Sequence, residues 1–204
     1  LVNITEGKEN RRLWVSDLFT GKIYSFDSTL QLTDSIQTNK AIVDLVFHKN
    51  GISFCDIGEI NPNNRKLGTV GELIYKNNKL IGVDTIAQLK TLARPVQVTI
   101  ADVDLDQQPD YIVNEFGFLT GSLSLYQKNG NEFERKVIKD VPGATKIYLR
   151  DYNEDGLPDI YALFAQGNEG IFLYTNLGGG RFSEKQLLQF PPVYGSTFFE
   201  MIDL

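Results

Sequence analysis

One cysteine (Cys55), one histidine (His48), one methionine and one tryptophan stand among 204 residues. A lone cysteine makes an intrachain disulfide impossible and leaves no basis for a thiolate zinc site. A lone histidine excludes multi-histidine metal centres and leaves any Ser–His–Asp or Cys–His catalysis resting on His48. No apolar run approaches the roughly 20 residues of a membrane-spanning helix. Positive charge is also short: 20 Lys and Arg against 26 Asp and Glu give a net charge of -6. Such a surface repels polyanions, so neither nucleic acid nor an anionic membrane is an expected partner. The chain starts at Leu1 without a signal-peptide pattern, as expected of an excised or processed segment.

What is present is a repeat. Gly21-Lys-Ile-Tyr24, Gly71-Glu-Leu-Ile-Tyr75, Gly121-Ser-Leu-Ser-Leu-Tyr126 and Gly170-Ile-Phe-Leu-Tyr174 share a glycine followed by an apolar run ending in tyrosine, with glycine steps of 50, 50 and 49 residues. Upstream of each lies a second apolar run: Leu13–Val15, Ile52–Cys55, Tyr111–Val113 and Ile160–Leu163. Downstream, turn residues precede a third in three units: Leu80–Val83, Phe133–Ile138 and Phe182–Leu188. A further run opens the units at Ala41–Phe47, Val96–Ala101, Thr145–Arg150 and Thr197–Ile202. These runs are short, rich in Val, Ile, Phe and Tyr, and bounded by Gly and Asn, so they predict strands. No segment keeps a helical period; Ile86–Leu92 comes nearest and is short.

Four strands per roughly 50 residues is the size of a propeller blade. The expected fold is therefore an all-β propeller of about four four-stranded blades, read as one domain over 1–204. Its units lie near 1–40, 41–94, 95–143 and 144–196, and a further unit starts at 197–204. Asn61–Lys66 reads as a surface insertion within the second unit, with two basic residues that suit an acidic partner. Met201-Ile202-Asp203 repeats the lead-in to the acidic loops described below, with Asp203 as the first ligand of a truncated one. Two outcomes are open: a fragment of a larger propeller, which is preferred, or a small ring closed by Thr197–Ile202 pairing with Leu13–Asp17. Open blade edges in a fragment would promote self-association.

Two units carry a sharper motif. Asp102, Asp104, Asp106 and Asp110 occupy positions one, three, five and nine of one loop; Asp151, Asn153, Asp155 and Asp159 occupy the same positions of another, 49 residues on. A chain curling around a hard cation turns alternate side chains inward, and position seven, Gln108 or Leu157, supplies a carbonyl. Ca²⁺ takes six to eight oxygens, which suits this donor set; Mg²⁺ prefers a tight octahedron and zinc prefers nitrogen or sulfur. Position six is Gln107 in the first loop and Gly156 in the second, so a positive φ there costs the first loop more. Positions twelve are Val113 and Ala162 rather than the glutamate of an EF-hand. The competing reading of either loop is an acidic turn whose side chains cap backbone donors.

Ala101-Asp102-Val103-Asp104-Leu105-Asp106 through Asp110-Tyr111-Ile112-Val113, followed by Asn114-Glu115-Phe116-Gly117, resembles an FG-GAP/VCBS-type repeat. That resemblance covers about half the chain and implies a β-propeller whose Asp-x-Asp-x-Asp-Gly-x-x-Asp loops bind calcium. The first two units match in strand pattern alone; the second has His48-Lys-Asn-Gly51 at the corresponding turn. Repeats of this kind occur in integrin-like adhesion proteins and in bacterial secreted and surface proteins, and the bacterial branch is the closer likeness. The resemblance implies a secreted, periplasmic or cell-surface, non-catalytic binding module for a protein or a glycan. The alternative is a propeller-fold polysaccharide lyase or glycosidase, for which Arg94, Tyr148 and Arg150 are the available candidates.

The remaining singular residues read as structural. His48 is expected in an exposed turn, Cys55 as a buried inert thiol and Trp14 as packing between blades. Gly178-Gly179-Gly180 is expected to be a hairpin turn, because no helix or lysine follows it as a phosphate-binding loop requires.

Overall fold

The computed structural model describes residues 2–5, 12–76, 79–191 and 195–202. Among the described residues, sixteen strands form four antiparallel four-stranded meanders. The first sheet contains β1 (Val2–Thr5), β2 (Arg12–Asp17), β3 (Lys22–Phe26) and β4 (Leu32–Gln37). The second contains β5 (Ile42–His48), β6 (Gly51–Asp56), β7 (Thr69–Lys76) and β8 (Lys79–Thr85). The third contains β9 (Pro95–Ala101), β10 (Asp110–Glu115), β11 (Ser122–Asn129) and β12 (Glu132–Lys139). The fourth contains β13 (Ala144–Arg150), β14 (Asp159–Phe164), β15 (Gly170–Asn176) and β16 (Phe182–Gln189). The helical tendency near Ile86 is met by one 3₁₀ turn, Ala87–Leu89.

The chain divides into two compact units, where the repeat pattern treats 1–204 as one domain. The first comprises residues 1–61 and 66–92; the second comprises 62–65 and 93–204. In the first unit Trp14, Ile23, Ile42, Leu45, Phe54 and Leu73 pack into one core, with the Trp14 ring edge-on to Tyr75 at 6.0 Å. In the second, Ile112, Leu123 and Leu125 of the third sheet pack with Ile147, Ile160, Phe164 and Phe172 of the fourth. Burial of each such side chain contributes about 1.5–3 kcal/mol. Lys139 crosses this second core, its Nζ 3.9 Å from the Phe172 ring centroid and 2.8 Å from Glu184.

Burial follows strand position. Every residue of β10 is buried, and β6 and β14 are nearly so, which explains why apolar side chains there do not alternate with exposed ones: both faces are covered. The fourth strands are mostly exposed and carry the charge, as in Glu132–Lys139 and Phe182–Gln189. Charged edge strands discourage pairing with other chains.

The equal glycine spacing does not mean equal position. The residues facing the ends of β2, β6, β10 and β14 across the ladder are Lys22, Thr69, Ser122 and Gly170. Tyr126 and Tyr174 are true equivalents, opposite Tyr111 and Ile160; Tyr24 and Tyr75 are offset, and the 61–66 insertion restores the interval.

Two expectations are corrected. Thr197–Ile202 forms no strand; Phe199 instead lies edge-on to Tyr148 at 5.1 Å. The place proposed for it beside Leu13–Asp17 is taken by Val2–Thr5, so β2 has both edges paired. Asp203 lies outside the described residues. His48 is not an exposed turn residue: it ends β5, half-buried, with Nε2 3.1 Å from Ser53 Oγ and 3.2 Å from Glu72 Oε2. The register places Ser53 directly opposite Glu72, and His48 closes a polar cluster across three strands.

Candidate metal centre

Both acidic loops connect the first strand of a sheet to its second, β9 to β10 and β13 to β14. Counting positions from Asp102 and Asp151, the same six hydrogen bonds recur. Position one accepts the N–H of position five through one oxygen, at 3.0 and 3.1 Å, and that of position six through the other, at 2.8 Å in both. Position three also accepts from the N–H of position five, at 3.3 and 3.4 Å. Position five accepts from the N–H of position seven, at 2.7 and 2.8 Å, which places Gln108 and Leu157 alike. Position nine accepts from the N–H of position two, at 2.9 and 2.8 Å, and from the third strand of its sheet at Lys128 or Asn176, at 2.8 and 2.6 Å.

The backbone follows the same path twice. Position four is left-handed in both loops (Leu105, φ 64; Glu154, φ 61), and so is position six (Gln107, φ 69; Gly156, φ 86). The condition set by Gly156 in the sequence is thus met, and Gln107 carries the strain that glycine avoids.

Within this frame the Asp102, Asp104 and Asp106 carboxylates each bring one oxygen within 4.8 Å of the others. Two oxygens on opposite sides of a calcium ion at about 2.4 Å are themselves about 4.8 Å apart, so three hard donors at this spacing fit one such ion. Each carboxylate oxygen has two lone pairs, so one accepted N–H leaves room for a second interaction. An open cleft of about 260 Å³ adjoins the loop, lined by Asp104, Asp106, Gln108, Gln127, Lys128 and Glu134 among others. In the second loop Asp151, Asn153 and Asp155 are exposed, and the Asn153 amide donates to Asp155 Oδ2 at 2.8 Å.

Asp110 and Asp159 stand apart from these groups. Both are fully buried, and each spends one bond per oxygen on backbone donors, stapling the loop to the third strand. Burial pushes the Asp110 carboxyl upward against the pull of those two N–H groups, and the neighbouring Asp104 and Asp106 push it the same way.

Sequence reasoning missed three residues. Gln127 donates its amide to Asp104 Oδ2 and accepts from Lys136 Nζ, which also reaches the Gly179 carbonyl at 3.0 Å. Asn176, 1% exposed, donates from Nδ2 to the carbonyls of Val103 at 2.8 Å and Pro158 at 3.2 Å. The available signal was positional: Asn176 follows Tyr174 by the interval at which Lys128 follows Tyr126.

A solved structure described as "Structure of Dos1 propeller" aligns with 86% of this chain at a TM-score of 0.59 and 9% identity. The fold is that of a β-propeller. The chain spans 44% of that propeller's chain. At such low identity the likeness carries fold alone. No family model matches the chain, and no curated protein matches it.

The residues considered for catalysis on this propeller fold each have a different partner. Arg94 is buried, donating from Nη1 to the Gly117 carbonyl at 2.9 Å. Arg150 is exposed and donates to its neighbour's carbonyl at Leu149, while Tyr148 packs on Phe199. Cys55 and Trp14 lie in the core, and Gly178–Gly180 turn β15 into β16.

Proposed function

We propose that this chain is a calcium-stabilised, non-catalytic binding or scaffold module of a secreted or cell-surface protein, with a protein or glycan as partner. The observation that carries the reading is the convergence of Asp102, Asp104 and Asp106 in a loop whose hydrogen-bond pattern recurs at Asp151–Asp159. Asp102, Asp104 and Asp106 would hold one ion; Asp151, Asn153 and Asp155 would hold a second. Bound there, calcium supplies positive charge that neutralises clustered carboxylates and locks a strand connection. The FG-GAP/VCBS resemblance supports the same reading, and the four sheets then stand as blades of a larger propeller, consistent with the 44% span.

Melting in EDTA and in millimolar Ca²⁺ tests this. A ligand that binds only the native state adds about 2.7 kcal/mol at a hundredfold excess over Kd. A clear rise in Tm is expected; an unchanged Tm overturns the reading. A polysaccharide screen scored for turnover tests the lyase or glycosidase alternative.

A further inference from the structure

The two acidic loops belong to different sheets, yet one buried side chain touches both. Asn176 ends β15 and uses its backbone N–H and both ends of its side-chain amide. Its backbone N–H goes to Asp159 Oδ1 of the second loop at 2.6 Å. Its Nδ2 donates to Pro158 O of that loop and to Val103 O of the first, 73 residues away in sequence. Its Oδ1 accepts the Gly178 N–H at 2.9 Å, closing the glycine turn. The carbonyl-bearing residue Val103 is itself fixed by Asp110 and is fully buried in the shared core.

We infer that the two loops form one cooperative element, with Asn176 as the positioning residue that couples them. An asparagine is required here because two carbonyls and one N–H converge on one side chain. Only a neutral amide offers two donors and an acceptor together. Aspartate would turn acceptors toward both carbonyls, and leucine of similar size would leave all three groups unpaired in a buried place, where each costs a desolvation penalty. The equivalent residue of the third sheet is Lys128, whose backbone N–H makes the matching bond to Asp110. The preceding second sheet has His48-Lys49-Asn50-Gly51 where an acidic loop would be, so that position has no second loop to tie. Lys136 supports the same junction through Gln127 and the Gly179 carbonyl.

The coupling makes the loops share their opening equilibrium, since losing either set of bonds frees the amide that holds the other. Where calcium is concerned the inference rests on the proposed function above, and it adds that the two ions affect each other's affinity reciprocally.

Amide exchange of the full, metal-free chain tests the coupling without any ion. In Asn176→Ala, protection should fall together in both loops, at Val103, Asp106 and Gln107 and at Tyr152, Asp155 and Gly156, by roughly tenfold or more. Protection in Leu123–Tyr126 of β11 should be unchanged. If that variant does not fold, exchange in the unsubstituted chain across low denaturant gives the answer: both loops should open with one common denaturant dependence. Full protection of the first loop in the variant, or two different dependences in the unsubstituted chain, overturns the inference. With calcium, Asp155→Ala should weaken binding at the first loop as well as the second, and Asn176→Ala should abolish that cross-effect. Absence of calcium binding would sink the proposed function and leave the exchange experiment to decide the coupling.

Discussion

Asp159 accepts the backbone N–H of Asn176 at 2.6 Å, and Asp110 accepts that of Lys128 at 2.8 Å, so each acidic loop is clamped to the third strand of its own sheet by a buried carboxylate. The other oxygen of each clamp holds position two of the loop. Asp159→Ala or Asp110→Ala therefore strands two N–H groups, one buried and one part-buried. The expected cost is at most about 2–6 kcal/mol, at about 1–3 kcal/mol per fully buried unsatisfied group. Urea unfolding in EDTA measures it. A loss confined to calcium-containing buffer would assign these residues to the ion instead of the clamp.

Within the second loop, neighbouring acidic residues should behave differently. Asp155 points both oxygens into the loop, toward Leu157 N and Asn153 Nδ2, whereas Glu154 sits exposed at the left-handed position four. Calorimetric titration with Ca²⁺ should show binding weakened by about tenfold or more in Asp155→Ala, the scale at which site-supporting groups act. Glu154→Ala should be nearly silent. Equal losses would contradict the alternation on which the ligand assignment depends.

Gln107 offers a stabilising substitution. Its φ of 69° is costly for a residue with a Cβ, and the bond it makes to Asp102 uses its backbone N–H, which any replacement but proline keeps. Gln107→Gly should raise stability by about 0.5–1 kcal/mol after the entropy lost with glycine is offset. Gly156→Ala should lower it by about 1 kcal/mol; the space around its Cβ is open, so strain at φ 86° acts without any clash and outweighs the entropy gained with alanine. Denaturant midpoints of the two variants should move in opposite directions.

Alkaline pH should unfold the chain. Burial pushes Tyr126 up to about 12, with Glu115 adding to the rise, and burial pushes Tyr174 higher still. A raised folded pKa means the neutral phenol is favoured in the fold. That stability is complete below the unfolded value of about 10 and is lost as pH climbs toward 12 and beyond. Phenolate absorbance followed alongside circular dichroism should show Tyr126 and Tyr174 ionising only as the strands melt. Full ionisation of all nine tyrosines in a still-folded chain at pH 11 would contradict it.

Most of the strands, the four-strand unit and the matched acidic loops were legible in the sequence, because each rests on local rules; Val2–Thr5 and Leu32–Gln37 were not. Alternation and β-branched content mark Tyr111–Val113 or Ile160–Leu163 as strands wherever they pack. Asp at alternate positions followed by Pro-Asp bends the chain the same way in both loops, down to the left-handed residues at positions four and six. What tertiary structure alone decided is which distant groups meet. The register of β6 with β7 puts Glu72 beside Ser53 and draws His48 inward, against its reading as a surface turn. Val2–Thr5 wins the edge of β2, so Thr197–Ile202 finds no ladder and stays unpaired as a strand. Asn176 reaches Val103 across 73 residues because two sheets share one core, and no local pattern carries that distance. Local geometry sets what each segment becomes; burial and register, which are properties of the packed chain, set which polar groups must satisfy one another.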